Sequence, residues 1–226
     1  MRTEVSIIDA ATGEFNIPAW VQDLPTFRKW CEEDEELEFG RVSYLKGKIW
    51  VDMSREQLYA HNAVKTEVTI VLGGLVKRLK SGRYFSDGVL LINAAADLGG
   101  QPDGMFVSFA SLQSKQCLDV AGRRDGGFVE IEGTPDVVIE IVSPNTVRKD
   151  TVRLRKAYWE AGIPEYWLID ARRDPPVFDV LRSTATGYAA ARRTGGWSKS
   201  NVFGKSFRLT ASVDERGRPE FTLDVR

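Results

Sequence analysis

Residues 137–142, Val-Val-Ile-Glu-Ile-Val, constrain the fold more than any other stretch of this chain. A nearly continuous apolar run of this length suits a strand covered on both faces. Ser143-Pro144-Asn145 ends it, a helix is expected from about 150 to 161, and Gly162 closes that helix. Residues 165–170, Glu-Tyr-Trp-Leu-Ile-Asp, read as a second buried strand. Strand, helix and strand in such quick succession predict a parallel or mixed sheet, and so an α/β class. One residue in the run is out of place. Glu140 has apolar neighbours on both sides, and a carboxylate removed from water costs several kcal/mol unless it is paired or metal-bound. Period-two alternation puts Asp136, Val138, Glu140 and Val142 on one face. Two readings stay open for Glu140: an ion pair with a basic residue of the following helix, or a metal ligand.

The rest of the chain supplies elements to surround this unit. Residues 1–19 read as an irregular arm or edge strand. Residues 25–37 read as a short helix, started by Pro25 and Thr26 and carrying a solvated acidic run, Glu32 to Glu36. Residues 41–53 alternate around Lys46-Gly47-Lys48, a β-hairpin pattern. Between 55 and 80, Leu58, His61, Val64, Val68, Val71, Leu72, Leu75 and Leu79 recur at helical steps and predict a long helix with one apolar stripe. Strands are expected around 83–92 and 103–109, with the small-residue stretch 93–101 as a loop between them. Ala-Gly-Arg-Arg-Asp-Gly-Gly, 121–127, reads as a surface loop, and 177–226 as several strands with glycine turns. No repeat and no linker composition interrupts the chain, so one domain over 1–226 is expected.

Composition narrows the chemistry. Hydrophobic residues make up 42% and charged residues 28% of 226, an ordinary globular balance. The net charge of −1 gives no bulk attraction for nucleic acid, so any such contact needs a local patch. One histidine and two distant cysteines, Cys31 and Cys117, exclude a Cys/His zinc site within one chain. The first 15 residues lack the pattern of a secretory leader, and no run reaches 18 apolar residues, so a cytoplasmic protein without a membrane span is expected.

Asp103 is a second acidic residue in an unusual setting, opening the strand in Gln-Pro-Asp-Gly-Met-Phe-Val, where Pro-Asp reads either as an ordinary turn signal or as a ligand position. Carboxylates that converge from neighbouring strands bind hard cations such as Mg²⁺. Such a cation polarises a phosphoryl oxygen and acidifies bound water. The densest basic stretch follows Glu140's strand directly: Arg148, Lys149, Arg153, Arg155 and Lys156, against Asp150. It reads either as a solvated helix face or as a phosphate-contacting patch.

Residues 134–170, with Glu140-Ile141-Val142-Ser143-Pro144, Asp150, Tyr158, Ala161-Gly162 and Glu165-Tyr166-Trp167-Leu168-Ile169-Asp170, resemble the signature of the Uma-two family. That family is described as restriction endonucleases within the PD-(D/E)XK nuclease superfamily. Pro102-Asp103, His61, Gly47 and Met53 fit the same pattern, which extends over roughly 40–200. The resemblance implies a restriction-endonuclease-like core, a central mixed sheet flanked by helices, with a hairpin before it and strands after it. It implies Asp103 and Glu140 as metal ligands, with the backbone carbonyl of Ile141 completing the shell of Mg²⁺ or a substituting Mn²⁺. One departure stands out. The superfamily's lysine two residues after the Glu is Val142 here, and the family's alternative position in the next helix is Leu154. Arg153, on the helical face shared with Leu154 and Tyr158, and Lys149, just ahead of the helix, are the two candidates to supply that charge. His61 is either a core histidine or a site-lining proton carrier. Tyr158 is read as packing support.

The resulting expectation is a metal-dependent DNA endonuclease with catalytic residues Asp103, Glu140, Lys149, Arg153 and His61, acting as a homodimer on duplex DNA. Two alternatives remain: an inactive nuclease-fold module that binds nucleic acid or protein, and a metal-dependent phosphodiesterase acting on RNA or nucleotides.

Overall fold

The computed structural model describes residues 17–33, 41–52, 55–122 and 127–226. The expectations for residues 1–16, the acidic residues 34–36, Met53 and the centre of the 121–127 loop fall outside them. The chain begins with α1 (Leu24–Glu33), then a hairpin of β1 (Arg41–Leu45) and β2 (Lys48–Asp52). A π-helical segment (Leu58–Ala63) runs into α2 (Val64–Leu79), followed by β3 (Gly82–Ser86), β4 (Leu90–Asn93), β5 (Leu98–Gly100) and β6 (Gly104–Ser108). The short α3 (Phe109–Gln113) leads to β7 (Cys117–Ala121), β8 (Phe128–Gly133) and β9 (Val137–Ile141). A second π-helical segment (Lys149–Leu154) continues as α4 (Arg155–Glu160) and returns to β10 (Glu165–Asp170). The last strands are β11 (Val177–Thr184), β12 (Gly187–Ala190), β13 (Arg193–Thr194), β14 (Trp197–Lys199), β15 (Ser206–Val213) and β16 (Pro219–Val225).

Among the described residues the strands form three sheets. The central one runs β12-β11-β10-β9-β6-β3, with β9 and β10 parallel and the other neighbours antiparallel. The apolar run 137–142 is therefore the buried strand its composition predicts. Its odd residues, Val137, Ile139 and Ile141, pack with Val68, Leu72 and Val76 of α2 and with Phe207 and Leu223 of the third sheet, β13-β14-β15-β16. Val138 faces the opposite way, among Met105, Tyr158, Tyr166 and the hairpin residues Leu45 and Trp50. The hairpin belongs to a sheet ordered β2-β1-β5-β4-β8-β7, whose outer face is covered by Leu24, Phe27 and Trp30 of α1.

The stretch 93–101 is not a loop. The Asn93 side chain accepts from Ala96 N–H and caps a 3₁₀ turn, and β5 then pairs with both β1 and β4. Glycine is what β5 needs, because a Cβ at Gly99 would come within 2.7 Å of the Phe27 ring. The apolar pattern cannot reveal a strand whose defining residues have no side chain. The expected single strand over 83–92 is two strands in different sheets, separated by Asp87 and Gly88 at φ 48° and 73°. Strands also flank the 121–127 loop, as the β7–β8 pair. In the long helix the apolar stripe holds from Val64 to Val76, but Leu58 and Leu79 are 73% and 45% exposed. No helix among the described residues is long and apolar enough to cross a membrane.

Candidate active site

Asp103 immediately precedes β6, whose register against β9 pairs Gly104 with Ile139 and Met105 with Val138. One further antiparallel step sets Asp103 opposite Glu140. Directly opposed residues carry Cβ atoms about 4.5–5.5 Å apart on the same face of the sheet. The next pair on that face, Met105 and Val138, shares one core cluster. Gly104 permits the approach of β3 at this point, since a Cβ there would lie 2.5 Å from the Tyr84 hydroxyl.

The two carboxylates are held differently. Glu140 is 3% exposed, and its Oε1 accepts one hydrogen bond, 2.6 Å from the Tyr158 hydroxyl. Among the described residues it has no other hydrogen bond and no ion pair within 4 Å. Burial pushes its pKa up to about 8; Lys149 opposes the rise, while Asp150 and Asp103 add to it. Glu165 shows what a structurally satisfied buried glutamate looks like in the same sheet. It accepts from Trp167 Nε1 at 3.1 Å, Ser200 Oγ at 2.7 Å, and the N–H groups of Asn201 and Val202 at 2.5 and 3.2 Å. Glu140 lacks that cage.

Asp103 is equally buried but well supplied. Its Oδ1 accepts from Arg41 Nη1 at 2.6 Å and its Oδ2 from the Ile141 N–H at 2.7 Å. His61 Nε2 lies 3.5 Å from Oδ2. Burial alone would raise the Asp103 pKa, but His61, Arg41 and the Ile141 N–H outweigh it and hold the carboxyl well below the usual range.

Lys149 opens the π-helical segment after β9, and its Nζ lies 3.2 Å from Asp150 Oδ1. Burial disfavours its charge, yet Asp150, Glu140 and Asp103 together hold its pKa above that of an ordinary lysine. The ammonium therefore stays charged against a group of three carboxyls. Burial raises the pKa of Asp150, against the pull of Lys149. Tyr158 stacks edge-on to Tyr166, with centroids 5.3 Å apart, and the Tyr166 hydroxyl donates to the Asp150 carbonyl at 3.0 Å. Tyr158 thus does more than pack: it orients Glu140.

On the other side of Asp103 lies a charged cluster without a local sequence signal. Arg41 contacts Glu56 as well as Asp103 and lies 3.2 Å from Asp87. Lys65 also contacts Glu56 and lies 2.6 Å from Asp87. Glu56, His61 and Asp103 bring one ligand atom each within 4.8 Å of one another. The His61 Nδ1, 3.6 Å from Glu56, is buried and unbonded among the described residues.

The structure therefore brings Asp103, Glu140, Lys149 and His61 together, with Ile141 joining through its N–H. It does not bring Arg153. That guanidinium stacks over Trp50, 4.7 Å from the ring centroid, in a separate cleft. Placing Arg153 on the face of Tyr158 requires α-helical spacing, whereas Lys149–Leu154 is π-helical. Its i→i+5 turns carry each residue less far around the axis, so Arg153 leaves the face of Asp150. Spacing alone also gives no hint of Arg41, Glu56, Lys65 and Asp87, which come from separate elements.

Comparison with known proteins agrees with this architecture. A family model described as "Putative restriction endonuclease" matches residues 24–212. The fold is similar to that of a crystal structure described as a "putative nuclease belonging to DUF820" from Anabaena variabilis ATCC 29413. That match has a TM-score of 0.58 and 21% identity, covering 80% of this chain and 90% of that chain. Comparison with curated proteins gives no match. The fold is thus a restriction-endonuclease-like mixed α/β core.

Proposed function

The chain belongs to the Uma2 family, and we propose that it is a metal-dependent nuclease that hydrolyses phosphodiester bonds in DNA. The observation that carries this reading is Glu140: a buried carboxylate with one neutral donor, set opposite Asp103 by strand register. A structural glutamate in this sheet has four donors, as Glu165 does; a ligand glutamate keeps lone pairs for a cation. The donor set fits a hard divalent ion. Asp103, Glu140 and the Ile141 carbonyl would hold Mg²⁺, with Mn²⁺ as a substitute. Bound there, the ion would polarise a phosphoryl oxygen and lower the pKa of water.

The chain's own residues have separate tasks. Tyr158 fixes the Glu140 carboxylate through its 2.6 Å hydrogen bond. Lys149 supplies the charge that Val142 and Leu154 do not; as a buried, charged ammonium it stabilises negative charge on the scissile phosphate. His61, with its Nε2 3.5 Å from Asp103 Oδ2, is placed to accept or pass a proton at that oxygen. Arg41 neutralises Asp103 through the hydrogen bond to Oδ1, an oxygen it would share with or give up to a bound cation. Cutting both strands of a duplex calls for two sites, so a homodimer belongs to this reading and light scattering checks it.

The Arg41 pair favours one second reading, an inactive module in which that guanidinium permanently replaces the metal. Plasmid cleavage in Mg²⁺ or Mn²⁺ separates the two. The nuclease reading expects nicking or linearisation by the wild type and none by Asp103→Ala or Glu140→Ala. No cleavage with either ion, in a protein that still binds DNA, supports the inactive module. Cleavage that survives both substitutions sinks the proposed site.

A further inference from the structure

We propose that the cleft between the β1–β2 turn and α4 is a second anion site, which holds a backbone phosphate of the nucleic-acid strand beyond the cut. The cleft has a volume of about 290 Å³ and is walled by Trp50, Lys48, Arg153 and Lys156. That is near the lower bound of ligand pockets in general, roughly 300 Å³, and suits a small group such as a phosphate.

Its charges do not cancel. Four cations line it, Lys46, Lys48, Arg153 and Lys156, against Asp97 and Glu160. Glu160 is taken by Lys46 at 2.8 Å and by Lys156. Lys48 and Arg153 have no carboxylate partner among the described residues. Arg153 makes no hydrogen bond there either, although stacking on Trp50 holds its planar fork of donors in place. Trp50 presents its ring to the cleft as the platform for Arg153. Two cations without a carboxylate partner among the described residues, Lys48 and Arg153, thus line one concavity. A guanidinium fork and an ammonium side by side suit an oxyanion, and a phosphate presents the oxygens both need.

The position of the cleft identifies the source. Lys149 and Arg153 belong to one continuous helical stretch, 149–160. The π-helical part, Lys149–Leu154, rises less per residue than the roughly 1.5 Å of an α-helix, so Arg153 stands less than about 6 Å and Lys156 less than about 10.5 Å along the axis from Lys149. A strand seated at Asp103 and Glu140 would carry its neighbouring phosphates into that range. The assignment to nucleic acid, though not the anion site itself, rests on the nuclease reading.

The test measures binding without cutting. A labelled DNA duplex is titrated with the full chain in EDTA, and the affinity is followed by fluorescence anisotropy between about 50 and 200 mM NaCl. With Lys48→Gln and Arg153→Gln combined, the slope of log affinity against log salt should become shallower by about one, for the single phosphate charge that is no longer neutralised. Arg153→Lys, which keeps the charge but removes the fork, should restore the slope that Arg153→Gln flattens. Unchanged affinity and slope in the double variant would overturn the proposal. So would inorganic phosphate quenching fluorescence in the wild type but not in Trp50→Phe while the DNA slope stays unchanged, since the cleft would then serve a small free anion. Binding of an acidic peptide that depends on Lys48 and Arg153, with DNA binding indifferent to them, overturns it too. Asp103→Ala and Glu140→Ala separate the two claims: if they cut like the wild type while Arg153→Gln flattens the salt slope, the active-site reading fails and the cleft stands.

Discussion

Glu140 and Asp103 differ in pKa in opposite directions because their donors differ, and this gives the site a pH signature. Unfolded, Glu140 has an ordinary carboxylate pKa near 4.3. Folded, it is pushed up to about 8 by burial. Between those values the folded chain keeps a proton that the unfolded chain has lost, so this group's contribution to stability falls as pH rises, with the full cost reached above the folded pKa. Asp103, held low, runs the other way: its contribution is present above the unfolded pKa and is lost as pH falls. A cation that replaces the proton on Glu140 relieves its cost. The rise in melting temperature caused by saturating Mn²⁺ should therefore be larger at about pH 8.5 than at about pH 6. An equal rise at both values would count against Glu140 as the ligand. Tyr158→Phe leaves Glu140 without its donor; it should cost about 1–3 kcal/mol in urea unfolding and weaken metal binding. Of these residues, Glu140 is legible in the sequence because a carboxylate inside an apolar run violates a strong rule. Arg41 is not, because nothing local distinguishes an arginine that reaches 62 positions along the chain to Asp103.

Among the elements, the β9–α4–β10 unit is readable because its periodicity is local, and the structure has it as a parallel pair joined by a helix. What local pattern does not carry is register and helix pitch. The opposition of Asp103 and Glu140 depends on the β6–β9 register, which no single segment encodes. Two π-helical segments, Leu58–Ala63 and Lys149–Leu154, flank the site, and each alters the phase that α-helical spacing predicts. The first leaves Leu58 exposed and His61 buried; the second sends Arg153 to Trp50 and leaves Lys149 near Glu140. Wide turns of this kind often mark functional sites. The joint between β3 and β6 is tight: an alanine Cβ at position 104 would meet the Tyr84 hydroxyl at 2.5 Å and Ile139 Cδ1 at 3.3 Å. Gly104→Ala should therefore destabilise the fold by about 1–3 kcal/mol and reduce metal affinity, because the displaced strand start carries Asp103. Thermal unfolding and metal titration on the same sample check both effects. Lower stability with intact metal affinity would show that the strand start is not what places the ligand.

At the scale of the whole molecule, the central sheet separates two tasks. One face, against α2 and the third sheet, is a packed aromatic and aliphatic core. The other carries Glu140 with Tyr158 and leads to the basic cleft. Phe207 belongs to the first face: it is fully buried and stacks on Trp167 with centroids 4.7 Å apart. Phe207→Ala should cost about 3–5 kcal/mol by denaturant unfolding yet leave the metal affinity of the folded fraction unchanged. A large drop in affinity would mean that the two faces are coupled. The run of apolar residues predicts two covered faces for β9, but not what covers them. The strands that close the α2 side come from the last part of the chain, and their glycine turns are legible while their partners are not.

The proposed nuclease chemistry requires one cation shared by Asp103 and Glu140. Isothermal titration of Mn²⁺ into the metal-free protein at about pH 8.5, above the folded pKa of Glu140, tests it most directly. The wild type should bind about one ion per chain, and either Asp103→Asn or Glu140→Gln should abolish that binding while the fold is kept. Undiminished binding in both variants, or no binding by the wild type, would contradict it.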